Sequence, residues 1–295
     1  MVRRLIRFIA KCAGIQRIPQ AGLLYVNGKP ILLPVSREIT CSLSERWMPQ
    51  LLSKILPLQK NVFLDVGVNL GQTLITVKAL DPDREYVGFE PNPSCFTFLQ
   101  DLIKENQFDH CLLFPVGLFS ETGILGLDFF SDSPIGSSAT LVDQFRPGER
   151  VYSRIFVPVF RFDDLGDILG GREVGIIKID VEGSELDVLK SLFNRVVRDR
   201  PVIIIEILPV YSDKHTQRKS RQSLVEAFFA EKEYHLYRIL KSDAKTYNGL
   251  TRIESIGVHS DLALSDYLAI PAEKTSHLLK ELQTALPTED DFFKG

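Results

Sequence analysis

The chain has 295 residues, 44% of them hydrophobic and 25% charged, with a formal net charge of -3. That balance suits a folded globular chain and argues against disorder. The small charge gives no general attraction to nucleic acid. No apolar run approaches the roughly 18–20 residues needed to span a bilayer. Cys12, Cys41, Cys95 and Cys111 are scattered without a CxxC pair. They predict reduced thiols in a cytoplasmic protein, and neither a disulfide framework nor a zinc site.

Residues 1–11 begin like a signal peptide, but Arg7 and Lys11 break the apolar core such a peptide requires. Arg3, Arg7 and Lys11 share one helix face, with Leu5, Ile6, Ile9 and Cys12 largely opposite. Residues 1–15 are therefore a candidate membrane-surface helix, which would make the protein membrane-peripheral. Packing on the chain's own domain is the competing reading. In residues 23–33, apolar runs flank Asn27-Gly28, a hairpin signal. Ser42-Leu-Ser-Glu45 resembles a capping box opening a helix through Leu51, Leu52 and Ile55, with Pro49 either dividing it or starting it. Residues 1–57 read as an N-terminal cap.

Residues 61–80 organise the rest. Val62, Phe63, Leu64 and Val66 suit a buried parallel strand, Gly67 and Gly71 punctuate a turn, and Leu70, Leu74, Val77 and Leu80 recur at helical spacing. Strand, glycine-bearing turn and helix aim backbone N–H groups at a ligand. Asp65 sits at the first strand's end and Glu90 ends a second strand, 85–90, where such folds hold ribose hydroxyls. A dinucleotide site needs glycine where this chain has Asn69 and Gln72. S-adenosylmethionine (SAM) is a ribose-bearing ligand without a pyrophosphate, and Asp65-x-Gly67-x-Asn69-x-Gly71 looks like the cofactor loop of class I SAM-dependent methyltransferases.

A helix from Pro93 to about Gln107 and a third strand, 111–116, follow. Residues 117–162 are too long for a simple crossover and read as an inserted hairpin, strands 123–130 and 152–160, whose Gly136-Ser137-Ser138 tip is placed to meet the acceptor. Residues 163–169 give a short helix, 174–180 the fourth strand, 201–206 the fifth, and 234–240 and 266–270 the closing strands. The basic run 214–221 opens a helix whose face is read as solvated. Residues 58–272 thus form the main domain, a doubly wound, mostly parallel, seven-stranded α/β sheet. Residues 273–295 form a C-terminal helix and a mobile tail.

Lys178, Asp180 and Glu182 alternate with apolar neighbours, so they begin on one face, and Glu206 ends the neighbouring strand. A lysine in a buried strand needs a partner, and Lys178 is read as charge balance for these carboxylates. Residues 176–190, Ile-Ile-Lys-Ile-Asp-Val-Glu-Gly-Ser-Glu-Leu-Asp-Val-Leu-Lys, are similar to the most characteristic block of FkbM-type methyltransferases. The cofactor loop, Gly88-Phe-Glu-Pro-Asn-Pro93, Gly136-Ser-Ser138 and Phe162-Asp-Asp-Leu165 occur in that family's order. The resemblance covers roughly residues 55–270. It implies a Rossmann-like class I fold and SAM-dependent O-methylation of a small molecule, sugar or glycolipid.

On that mapping Asp65, Gly67, Asn69, Gly71, Glu90 and Pro91 hold SAM, with Asp65 orienting the methionine amino group and Glu90 the ribose. Ser137 and Ser138 meet the acceptor. Many members have a histidine shortly after the Glu of the fifth strand, and this chain has Leu208-Pro209 there. Asp180, Glu182 and Glu206 are the candidate bases, and His215 is the histidine worth testing, against its reading as a surface-loop residue. If two of the carboxylates converge with Asp163 they would instead hold Mg²⁺. A catalytically inactive SAM-binding protein and a membrane-surface interaction protein are the alternatives in other classes.

Overall fold

The computed structural model describes residues 22–34, 41–43, 45–133, 135–136, 138–143, 145–146, 148–242, 246–282 and 292. Residues 1–15, Ser137 and almost all of the tail from residue 288 lie outside the described residues.

In chain order, β1 (Gly22–Val26) and β2 (Lys29–Leu33) lead into α1 (Trp47–Ile55). Strand and helix then alternate through β3 (Val62–Val66), α2 (Gln72–Leu80), β4 (Tyr86–Phe89), α3 (Pro93–Asn106) and β5 (Cys111–Phe114). The insertion contributes β6 (Gly117–Leu118), β7 (Gly123–Phe129) and β8 (Ser153–Phe160). Alternation resumes with β9 (Val174–Ile179), α4 (Glu185–Ser191), α5 (Phe193–Asp199), β10 (Val202–Glu206) and α6 (Thr216–Glu231). The strands β11 (Tyr234–Ser242), β12 (Thr246–Arg252) and β13 (Asp266–Pro271) and the helix α7 (Thr275–Leu282) complete it.

The main sheet has the order β12-β11-β13-β10-β9-β3-β4-β5. From β5 to β10 the strands are parallel, and β13, β11 and β12 pair antiparallel. The expected seven strands are present, and β12 adds an eighth at the edge. Its sequence, Thr-Tyr-Asn-Gly-Leu-Thr-Arg, is half exposed and lacks the apolar run by which buried strands are recognised.

Apolar residues cover both sheet faces. Phe63 and Ile176 face a cluster containing Trp47, Leu51, Leu74, Leu99 and Leu278, from α1, α2, α3 and α7. Leu64, Val66, Ile177 and Ile179 face Leu186, Leu189, Val225 and Phe229, from α4 and α6. That is a doubly wound α/β layer structure. Asp65 and Lys178 are register partners across β3 and β9. Alternating with Val66 and Ile179, they lie on the α1–α2 face.

The hairpin forms as its Asn27-Gly28 turn requires, with both residues left-handed at φ 51° and 69°. Asn106 of α3 pins it, accepting from the Leu32 amide at 2.7 Å and donating to the Leu32 carbonyl at 2.8 Å. The capping-box expectation fails: α1 starts at Trp47 without a side-chain cap, and Glu45 precedes it. Pro49 sits in its first turn, where no N–H is missed. Residues 163–169 form a 3₁₀ turn, Phe162–Leu165, and no α-helix. Phe292 is buried, and its carbonyl accepts from the Asn27 amide at 2.6 Å. No helix among the described residues is long and apolar enough to cross a membrane.

Candidate active site

A cavity of about 280 Å³ opens at the carboxyl ends of the parallel strands. The turn after β3 forms its floor, with Gly67, Val68, Asn69, Gln72 and Thr73 on the wall. Gly67 is left-handed at φ 86°, and a Cβ there would stand 1.9 Å from the Asp180 carbonyl. Only glycine lets the turn approach the end of β9 this closely. Gly71, at φ 82°, starts α2 and packs against Leu99 and Leu102 of α3. It does not line the cavity.

Glu90, one residue past β4, is 6% exposed and lines the cavity with Pro91 and Asn92. Its Oε2 accepts from the Asn69 amide at 2.7 Å and its Oε1 from the Asn92 amide at 2.8 Å. It therefore braces the β3 turn as well as facing the ligand space. Burial pushes its carboxyl up to about 7, against the pull of those amides. Asn92 caps α3 by accepting from the Ser94 amide at 3.0 Å, and its Nδ2 donates to the Ile135 carbonyl of the insertion at 2.9 Å. Cys95 joins the wall next to them, its Sγ 3.4 Å from the Ile135 carbonyl.

Past β9, Asp180 accepts from Lys178 Nζ at 2.9 Å, and both face the cavity. Burial disfavours the Asp180 charge, but Lys178 and a hydrogen bond with Glu206 outweigh it and hold the carboxyl below its ordinary value. Glu206 stands well above its own, through burial and then the charges of Asp180 and Asp266. Within the pair, Lys178 therefore favours the charge on Asp180 over the charge on Glu206. Burial works against the Lys178 charge too, and the carboxylates of Asp180, Asp65 and Glu45 more than restore it.

Glu182, left-handed at φ 50°, lines the cavity and accepts from Arg146 Nη2 at 2.7 Å. Burial pushes it to about 7, with Asp180 adding and Arg146 opposing. Ile135, Gly136, Ala139 and Leu141 bring the insertion onto the wall. Ser138 is half-buried and is not on it.

Asp65 is 0% exposed and does not line the cavity. Tyr86 donates to its Oδ2, and its Oδ1 has no partner among the described residues. Burial raises its carboxyl to about 6, with Lys178 and Tyr86 pulling the other way. His215 precedes α6, packs edge-on against Tyr211 at 6.0 Å and is not on the cavity wall. Asp163 accepts from Asn194 Nδ2 at 2.7 Å, also off the cavity wall. No group of His, Cys, Asp and Glu among the described residues is arranged to hold a metal ion, so the Mg²⁺ alternative gains no support.

Glu45 was read as a cap and instead lines the cavity. Nothing local marks it, because its charged neighbours Lys178, Asp180, Lys241 and Asp266 all lie more than a hundred positions further along the chain. Asn92 carried a usable signal: Asn before Pro is a helix N-cap, and a cap beside Glu90 has to sit at the same sheet edge.

A model of the methyltransferase FkbM domain matches residues 65–239, more than half of the chain. The protein belongs to this family. Among similar proteins, "Methyltransferase 1" of Beauveria bassiana (strain ARSEF 2860) is 28% identical over 152 residues, 47% of this chain and 61% of that one. "Methyltransferase sdnD" of Sordaria araneosa is 27% identical over 165 residues, 47% of this chain and 63% of that one. The chain spans about three fifths of the length of these curated relatives. Among solved structures, methyltransferase FkbM from Methylobacillus flagellatus KT superposes with a TM-score of 0.45 at 15% identity, covering 72% of this chain and 44% of that one. The cavity lies at the strand ends of the FkbM domain, with Glu45 joining from outside the matched region.

Proposed function

We propose that this protein transfers a methyl group from SAM to a hydroxyl oxygen of a small molecule, sugar or glycolipid. One observation carries the reading: Glu45, Glu90, Asp180, Glu182 and Glu206 line a single cavity against Lys178, the one cationic side chain on its wall among the described residues. An anionic cavity beside a glycine turn fits a ligand that combines a ribose with positive charge. SAM, when bound, supplies an electrophilic methyl on a sulfonium.

Glu90 keeps lone pairs beyond those used by Asn69 and Asn92, and these accept the ribose hydroxyls. The turn from Gly67 to Asn69, with Gln72 and Thr73 at the start of α2, orients the methionine part. In-line displacement gains most from such positioning, up to about 7–11 kcal/mol. Asp180 takes the hydroxyl proton. A carboxylate held below its ordinary pKa suffices, because the oxygen becomes strongly acidic as the new bond to carbon forms. A positioned base of this kind contributes roughly 10²–10⁴ in rate. Glu206 retains its own proton and shares it with Asp180, and Lys178 keeps Asp180 ionised.

Calorimetric titration with SAM, followed by a mass-spectrometric screen of hydroxyl-bearing acceptors with isotopically labelled SAM, tests the proposal. Binding together with an O-methylated product supports it. A protein that binds no SAM, or that delivers the label to nitrogen or carbon, overturns the corresponding part.

A further inference from the structure

Each cavity carboxyl but one is engaged by the protein. Glu90 holds two amides, Asp180 holds Lys178, Glu182 holds Arg146, and Glu206 holds Ser265 at 3.4 Å besides Asp180. Glu45 faces the same space, and among the described residues its carboxyl accepts no hydrogen bond. Its charged neighbours are Lys178, Asp266, Asp180 and Lys241. Lys178 is committed to Asp180 and Lys241 to Asp266.

The position of Glu45 is fixed by packing. Trp47, Leu51, Leu52 and Ile55 of α1 are at most 1% exposed. The Glu45 carbonyl accepts from the Met48 amide at 3.1 Å, and Gln50 Oε1 accepts from the Tyr247 amide at 2.9 Å. The segment leading into this buried helix therefore delivers an unengaged acceptor to an anionic cavity, and what it lacks is a cation bearing N–H donors.

On the SAM reading the donor carries such a group, the ammonium of its methionine part. Asp65, nominated for that group by the motif, is fully buried off the cavity wall, with Tyr86 bonded to one of its two oxygens. Glu90 and Glu45 lie on opposite sides of the Gly67–Asn69 turn: Glu90 follows β4, and the charged neighbours of Glu45 stand on or just past β9, β11 and β13. We infer that Glu45 accepts the hydrogen bonds of the methionine ammonium, so that the segment before α1, outside the family region at 65–239, completes the donor site. The inference rests on the SAM reading. Burial pushes the free carboxyl up to about 7, Lys178 opposing and Asp266 and Asp180 adding, so capture of a cation near neutral pH displaces a proton.

The test titrates the full chain with SAM and with 5′-methylthioadenosine, which keeps the adenosine and thioether but lacks the amino-acid end. Glu45→Gln keeps the shape and removes the charge, and Glu45→Asp restores the charge on a shorter arm. Glu45→Gln is expected to weaken SAM about 10–100-fold, to leave methylthioadenosine unchanged, and to be partly rescued by Glu45→Asp. Wild type should release protons on binding SAM near pH 7, read from the dependence of binding enthalpy on buffer ionisation, and release fewer with methylthioadenosine. That comparison stands even if the glutamine variant fails to fold. Equal SAM affinity in wild type and Glu45→Gln overturns the inference, as does an equal loss for both ligands, which would make Glu45 a mere support of the wall. A wild type that binds methylthioadenosine but not SAM overturns the ammonium role alone. One that binds neither overturns the SAM reading as well.

Discussion

Replacing Glu90 with alanine should cost both stability and cofactor affinity, and the structure separates the two. The carboxylate makes charge-assisted bonds to the Asn69 and Asn92 amides at 2.7 and 2.8 Å, and the residue is 6% exposed. Alanine leaves both amides without that acceptor in a mostly buried site, and each such group costs roughly 1–3 kcal/mol. Part of this is returned by water entering from the cavity, so a net loss of about 2–4 kcal/mol is expected, or a melting temperature lower by roughly 5–10 °C. Glu90→Gln keeps one acceptor, and its loss should be about half as large.

SAM affinity should fall about 10–100-fold in the alanine variant, on the scale of charge-assisted bonds to the ribose. Differential scanning fluorimetry gives the first number and calorimetric titration the second. An unchanged melting temperature would refute the bracing role of Glu90. Unchanged SAM affinity in a folded variant would remove it from the ribose.

Asp180→Asn should retain SAM binding and lower methyl transfer at least about tenfold, measured by single-turnover product formation; full turnover would make Asp180 structural and leave Glu206 and Glu182 as bases. In the free protein Glu45, Glu90, Glu182 and Glu185 stand near 7 and Asp65 near 6, all above their ordinary values. The stabilisation they give is complete below their ordinary values and is lost as pH rises through 6 to 7, so the melting temperature of the free protein should fall across that window, less steeply with SAM bound; a rise would contradict the burial of these groups. Replacing the insertion tip between Asp132 and Val142 with a Gly-Ser linker should redirect or reduce acceptor turnover and also weaken SAM, because Ile135, Gly136, Ala139 and Leu141 line the cavity. Undiminished SAM affinity would confine the tip to acceptor contacts.

The cavity edge was readable in the sequence wherever a residue's place follows from one strand and its end. Glu90, Asp180 and Glu206 each close or follow an apolar run, and parallel pairing of β4, β3, β9 and β10 brings them to one edge. Asp65 has the same local credentials, yet which helix covers its face is not written near it. It lies on the side of Phe63 and Tyr86, under α1 and α2. Glu45 shows the converse, an active-edge residue whose only local signal suggested a helix cap. His215 shares the correct sheet edge in sequence order, but the chain after β10 carries it to Tyr211 and away from the cavity. β12 is not legible in the sequence because an edge strand facing water carries no apolar run.

The sequence places the insertion tip toward the acceptor, and its anchors tie it to the rest of the cavity as well. Near the ribose end, Ile135 offers its carbonyl to Asn92, the residue whose amide is held by Glu90. Near the base end, Thr140 Oγ1 donates to the Glu182 carbonyl at 2.7 Å and Arg146 binds the Glu182 carboxylate. Phe145 packs so closely on Gly183 that a Cβ there would stand 2.7 Å from its ring, and the Arg218 guanidinium of α6 lies 4.3 Å from the centre of that same ring. One short segment is therefore tied to both ends of the cavity. Displacing it at either end disturbs the other, so altering acceptor choice without losing SAM requires changes that keep Ile135, Thr140 and Arg146 and vary only the side chains between them.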